Sequence, residues 1–178
     1  MSTAKYFIAI VLPEPVQEII EGVKQDLFKH HNLKGALRSP AHITLHRPFE
    51  WKEEKENHLL DTLKHFQPGP AFEIGIQNFG FFEPRVIYVD VLPNPELQFL
   101  HEKLVRYAKK ELHLFNEAED LRGFHPHVTV AFRDLKKPLF YMLRERFLNE
   151  TLEGQFQCKN FSLLKLNVKW EVLHSFDI

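Results

Sequence analysis

The order strand, helix, His-x-Thr strand, helix, strand occurs twice along this chain, and no other feature limits its fold so strongly. In the first pass, the apolar run Tyr6–Leu12 reads as a strand. Pro13-Glu14-Pro15 is a helix start signal, and Val16, Ile19, Ile20, Val23 and Leu27 follow at helical spacing. A polar loop with Gly35 and Pro40 leads into His42-Ile43-Thr44-Leu45, a second strand. Leu59, Leu60, Leu63 and Phe66 mark a shorter helix, which Gln67-Pro68-Gly69-Pro70 ends, and Ala71 to Asn78 alternates as a strand. The second pass opens with the strand Val86–Leu92. Pro93-Asn94-Pro95 starts a helix striped by Leu97, Leu100, Leu104 and Ala108. A loop with Gly123 and Pro126 leads into His127-Val128-Thr129-Val130. Leu139, Met142, Leu143 and Phe147 mark a last helix, and two strand-like runs, Gln155–Leu166 and Lys169–Phe176, close the chain.

Small details recur with the plan. Leu37-Arg38 precedes the first His-x-Thr and Leu121-Arg122 the second; Pro40 and Pro126 lie just before their histidines. Identity between the halves is low, so the repeat is one of pattern. It predicts a single domain over residues 1–178 with two lobes related by an approximate two-fold axis, the sequence halves being roughly 1–80 and 81–178.

Side chains alternate across a strand, so residues two apart share a face. His42 and Thr44 therefore point one way while Ile43 and Leu45 point into a core; His127 and Thr129 stand likewise against Val128 and Val130. Around a two-fold axis, two imidazoles and two hydroxyls converge on one cleft. In-line displacement at phosphorus needs a base on the attacking side and an acid on the leaving side, and one neutral and one protonated imidazole fill those roles. Their surroundings must hold their pKa values apart. The hydroxyls donate to non-bridging phosphate oxygens, where charge builds up. The scheme requires no metal and no other cofactor. Continued alternation places His46 on the His42 face, and Ala131 and Arg133 on the His127 face; His46 and Arg133 are secondary candidates, the arginine as a phosphate partner.

Bulk properties narrow the partners. The 178 residues carry 23 Lys and Arg against 24 Asp and Glu, a formal net charge of −1, so no overall field draws the protein along a nucleic-acid strand. An RNA end or a small nucleotide held in a pocket is the expected partner. The single cysteine, Cys158, excludes an intramolecular disulfide and reads as a packing residue. The start MSTAKYFIAIVLPEP is not a signal peptide, and no stretch reaches the ~18 apolar residues of a membrane span. A cytoplasmic monomer is the expectation. Of the 11 histidines, His30-His31 reads as a solvated helix end, and His125-Pro126-His127 lacks a third ligand at metal-site spacing. Phe7, Phe49 and Phe132 are candidates for stacking on a base; Lys169 and Trp170 read as surface residues.

In the context Ala41-His42-Ile43-Thr44-Leu45 and Pro126-His127-Val128-Thr129-Val130-Ala131, the chain resembles the 2H phosphoesterase superfamily, which includes 2'-5' RNA ligase-like proteins and cyclic phosphodiesterases. The resemblance implies an α+β fold of two pseudo-symmetric lobes, each an antiparallel sheet with helices on its outer face, around a central cleft. It implies metal-independent chemistry on 2',3'-cyclic phosphates or 2'-5' linked nucleotide or RNA ends. His42 and His127 would be the acid–base pair, Thr44 and Thr129 the phosphate-binding hydroxyls. Many RNA-ligase-like members carry a basic residue directly after the small residue of the second motif. Here Ala131-Phe132-Arg133 sets it one position later and on the opposite face to theirs.

Hydrolysis is the leading expectation. The alternatives are reversible 2'-5' RNA end ligation by the same groups, a non-catalytic nucleotide- or RNA-end-binding module with the same cleft, and a metal-dependent hydrolase built on the abundant histidines.

Overall fold

The computed structural model describes residues 2–116 and 123–178; Leu121-Arg122, half of one recurring pair, lies outside them. Among the described residues, eight strands and four α-helices run β1 (Thr3–Val11), α1 (Val16–His31), β2 (His42–Lys52), α2 (Glu56–Lys64), β3 (Phe72–Phe82), β4 (Val86–Val91), α3 (Pro95–Glu111), β5 (His127–Ala131), α4 (Lys137–Phe147), β6 (Glu153–Cys158), β7 (Asn160–Leu166) and β8 (Trp170–Asp177). Helices α1 and α3 begin where the sequence signals them. Pro15 precedes α1, and the Asn94 side chain caps α3 by accepting the Leu97 N–H at 2.9 Å. The same Asn94 amide donates to the Glu73 carbonyl at 2.7 Å, which ties the helix start to β3. Asn32 closes α1 in the left-handed conformation that ends many helices.

The strands form two antiparallel four-stranded sheets, ordered β2-β1-β7-β8 and β5-β4-β3-β6. Each His-x-Thr strand is an edge strand paired to the strand that opens its repeat, β1 or β4. The two-lobed antiparallel α+β architecture is therefore present, but the lobes are not the two halves of the sequence. β3, from the first half, lies in the second sheet between β4 and β6, and β7 and β8 return to complete the first. The expected single run Gln155–Leu166 is two strands: the ladder breaks at Lys159, where the chain crosses between sheets.

One apolar core joins both sheets. It takes Tyr6, Ile8 and Ile10 from β1, Ile43 and Leu45 from β2, Ile87 and Val89 from β4, and Val128 and Val130 from β5. Helix α1 packs against β5 and β6, and α3 against β2, so helices of one repeat meet strands of the other. The alternate residues of β1, Phe7 and Ala9, are buried on the opposite face with Leu164, and Trp170 packs against them. This explains why β1 reads as a continuous apolar run: it is covered on both sides. Cys158 is buried, its thiol pushed up to about 12 by that burial. Among the described residues, no helix is long and apolar enough to cross a membrane.

Candidate active site

His42 and His127 are each the first residue of an edge strand. His42 lies opposite Val11 and Thr44 opposite Ala9; His127 lies opposite Asp90 and Thr129 opposite Tyr88. In both motifs the histidine and threonine are half-buried while the residues beside them are buried, as alternation requires.

Each imidazole is held in the same way. His42 Nδ1 is 2.7 Å from the Pro40 carbonyl, and His127 Nδ1 is 2.8 Å from the His125 carbonyl, both two residues upstream. A carbonyl oxygen only accepts, so Nδ1 carries the proton in both rings and donates it there. In the neutral ring Nε2 is then the free base, and in the cation the proton to be given up sits on Nε2. The loops with Pro40 and Pro126 thus fix tautomer as well as orientation.

The strands do not keep their alternation beyond the motif. In β2, Thr44 pairs with Ala9 and His46 with Ile8, leaving Leu45 as the extra residue of a bulge. In β5, Thr129 pairs with Tyr88 and Ala131 with Ile87, leaving Val130 extra. Both bulges fall three residues after the histidine. They turn the next residue inward, and His46 and Ala131 are fully buried. His46, expected on the His42 face, instead packs edge-on to Phe49 at 5.5 Å, with Nδ1 2.9 Å from the Arg47 carbonyl.

A cavity of about 180 Å³ has His42, Thr44, Thr129, Arg38, Arg133 and Trp170 in its wall; His127 is not among its lining residues, but stands near enough to act electrostatically on His42. Phe7 and Phe132 complete its aromatic side. Of the secondary candidates the structure brings in Arg133 and not His46. Arg133 reaches the cavity after β5 has ended, by a left-handed turn of φ 61°. Phe49, offered as a stacking residue, lines a larger groove with Lys5, Glu50 and Phe115 that holds neither motif. Trp170, expected at the surface, is a cavity residue, set edge-on to Phe7 at 4.7 Å; Phe7 in turn lies 4.9 Å from the His42 ring.

The two histidines differ in their surroundings. Burial pushes His42 down to about 4, and the positive charges of Lys24 and His127 push the same way against the Pro40 hydrogen bond. Burial also lowers His127 against the hydrogen bond to the His125 carbonyl; the His125 charge lowers it further, and the Asp90 carboxylate favours the charged ring. Around His127 stand Phe82 at 5.1 Å and Tyr88 at 5.1 Å. Tyr88 is 3.3 Å from His125 Nε2, and Asp90 is 3.4 Å from the same nitrogen. Phe82, Tyr88 and Asp90 were not among the residues expected near the second motif. A signal existed in Tyr88 and Asp90, which share a face of β4 and lie opposite the second motif. Among the described residues, no group of three His, Cys, Asp or Glu side chains is arranged to hold a metal ion.

A family model described as the 2'-5' RNA ligase superfamily matches residues 12–170. A relative in Geobacillus kaustophilus (strain HTA426), named "Putative phosphoesterase GK0864", is 32% identical over 179 residues, covering 98% of this chain and 96% of that protein. In solved structures the same fold occurs in TT0787 of Thermus thermophilus, with TM-score 0.71, 19% identity and 97% of each chain covered. It occurs also in LigT of E. coli complexed with 3'-AMP, with TM-score 0.68, 22% identity and 99% of each chain covered.

Proposed function

This chain belongs to the 2'-5' RNA ligase superfamily of 2H phosphoesterases, and on that premise we propose that it hydrolyses 2',3'-cyclic phosphate or 2'-5' linked nucleotide or RNA ends by two-histidine acid–base catalysis. The observation that carries the proposal is the matched pair of Nδ1–carbonyl hydrogen bonds. They leave Nε2 of both rings without the proton that Nδ1 holds, and His42 shares one cavity wall with Thr44 and Thr129.

In the proposed reaction water attacks phosphorus, and the neutral imidazole takes its proton as the new P–O bond forms. The P–O bond to the ribose oxygen breaks opposite, and the imidazolium donates its Nε2 proton to that oxygen. The histidines end with protonation exchanged and are reset by solvent. Thr44 and Thr129 donate to the non-bridging oxygens, and Arg133 and Arg38 balance charge at the cavity wall. His42 is assigned as the base: burial and Lys24 keep it neutral. His127 is assigned as the acid, since Asp90 supports its proton. LigT of E. coli has been crystallised with 3'-AMP, which supports a nucleotide-sized ligand for a cleft of this kind. A purely binding protein would need the threonines and arginines but no acid–base pair.

The test is a panel of 2',3'-cyclic mononucleotides, cyclic-ended oligonucleotides and 2'-5' linked dinucleotides, incubated in EDTA and followed by 31P NMR. Turnover of any of them in EDTA supports the proposal. Binding without turnover across the panel would replace hydrolysis with the binding-module reading, and turnover that EDTA abolishes would replace it with a metal-dependent one.

A further inference from the structure

Helix α1 buries Val16, Ile20, Lys24 and Leu27. Three aliphatic residues in that stripe are ordinary, but Lys24 is not. Its side chain is 1% exposed, at a position where α3 buries only Leu97, Leu100, Leu104 and Ala108. Enclosing an ammonium group costs several kcal/mol unless it is paired and hydrogen-bonded, and aliphatic packing usually stabilises a fold at least as well.

The partners of Lys24 say what the charge is for. Lys24 Nζ lies 3.0 Å from Glu21 Oε1 and donates to the Ser39 carbonyl at 3.0 Å. The same Glu21 Oε1 accepts the Ala41 N–H at 2.7 Å, and the Ala41 carbonyl accepts the Leu12 N–H at 3.0 Å. The residue enclosed by these bonds is Pro40, whose carbonyl takes the His42 Nδ1 proton. One ion pair therefore grips the chain on both sides of the group that orients the first histidine. The acceptor for His127 belongs to His125, whose side chain is half exposed beside Asp90.

Resting on the hydrolytic reading above, we infer that Glu21 and Lys24 are positioning residues for His42, holding the Pro40 carbonyl in place and making the two histidines chemically unequal. Lys24 is enclosed and Glu21 is tied to it and to the Ala41 N–H, so both act on His42 through the Pro40 segment and not on substrate. The charged and titratable groups facing His42 are Lys24 and Glu21 from α1, Arg38 from the turn before β2, and His127 and Arg133 from β5 and the loop after it.

The variants are Lys24→Met, Lys24→Arg and Glu21→Gln, each first checked for folding by circular dichroism. Lys24→Met should lower kcat about tenfold or more while KM stays within about twofold, because orientation is lost and binding is not. By 15N NMR of the ring nitrogens, His42 should titrate about half a unit or more higher in Lys24→Met, with His127 unmoved. Lys24→Arg should restore the His42 titration. Glu21→Gln keeps the oxygen for Ala41 but loosens Lys24, so kcat should fall without an upward shift of His42. A folded Lys24→Met protein with wild-type kcat and wild-type His42 titration would overturn the inference. If that variant does not fold, wild-type kcat in Glu21→Gln would overturn it equally. Should wild-type protein turn over no substrate, the hydrolytic reading fails on its own, and the ring titrations still decide whether Lys24 governs His42.

Discussion

Leu45 and Val130 are the same residue in two lobes: each is the extra residue of a bulge set three positions after a motif histidine. Each bulge ends the cleft-facing alternation directly after the threonine and turns the next side chain into the core. Each lobe thereby keeps one histidine and one threonine on a common half-buried face, and the strand beyond is returned to packing.

His46 follows from this relationship. It is fully buried against Phe49, behind the bulge, so it should matter to stability and not to chemistry. His46→Ala is expected to lose about 1–3 kcal/mol in urea unfolding, the usual range for opening a core site. Turnover by the folded fraction should remain within about twofold of wild type, since no interaction specific to the transition state is removed. A loss of kcat approaching that of His42→Ala would place His46 in the site.

The ordinary imidazole value of 6.5 falls to about 4 for His42 in the folded protein, chiefly through burial. Between those values the unfolded chain binds a proton that the folded chain resists. The contribution of His42 is thus fully present above pH 6.5 and is lost as pH falls toward 4. Its size is up to about 3 kcal/mol from the linkage relation, with His127 adding loss of the same sign. Urea unfolding from pH 7 to 4 should show the decline, and His42→Ala should flatten it. The same shifts set the rate profile. The acid limb of kcat/KM, where the base becomes protonated, should lie near 4. The alkaline limb, where His127 loses its proton, should lie below 6.5. An acid limb near 6.5 would contradict the lowered value of His42.

A third expectation concerns the contact between lobes. Asp134, just after β5, accepts the Lys34 N–H at 2.6 Å and the Gly35 N–H at 3.0 Å, at the start of the turn that carries Arg38. A Cβ on Gly35 would meet the Phe132 carbonyl at 2.6 Å and Asp134 Oδ1 at 2.8 Å. Gly35→Ala should therefore push the two lips apart, moving Arg38 away from Arg133. Stability should fall by about 1–3 kcal/mol and kcat/KM by about tenfold, whereas Gly22→Ala, where nothing lies within 4 Å, should be silent in activity. Wild-type kcat/KM in Gly35→Ala would show that the lips do not need this register.

The positions of His42, Thr44, His127 and Thr129 were legible because a period of two on a short strand leaves little choice of face, and because the motif came twice in the same setting. Strand partners were not. The alternation of Ala71 to Asn78 reveals a strand but not that β3 leaves its own half to pair with β4 and β6. The bulges were hidden for a related reason: an extra residue alters the count on one strand without altering its composition. Trp170 read as surface because its place depends on β8 packing beside Phe7 through β7. Lys24 left no mark in the sequence, since a lysine on a helix is normally solvated and only its partners in a distant loop reveal its burial.

The central claim is that His42 and His127 act as a pair, and turnover of the best cyclic-phosphate substrate in EDTA by wild type, His42→Ala and His127→Ala tests it most directly. The account predicts that each replacement lowers kcat by about 10²–10⁴-fold, with substrate binding largely retained through Thr44, Thr129 and Arg133. The double variant should be little worse than either single one, because acid and base work in one step. Wild-type turnover in either single variant would contradict the account.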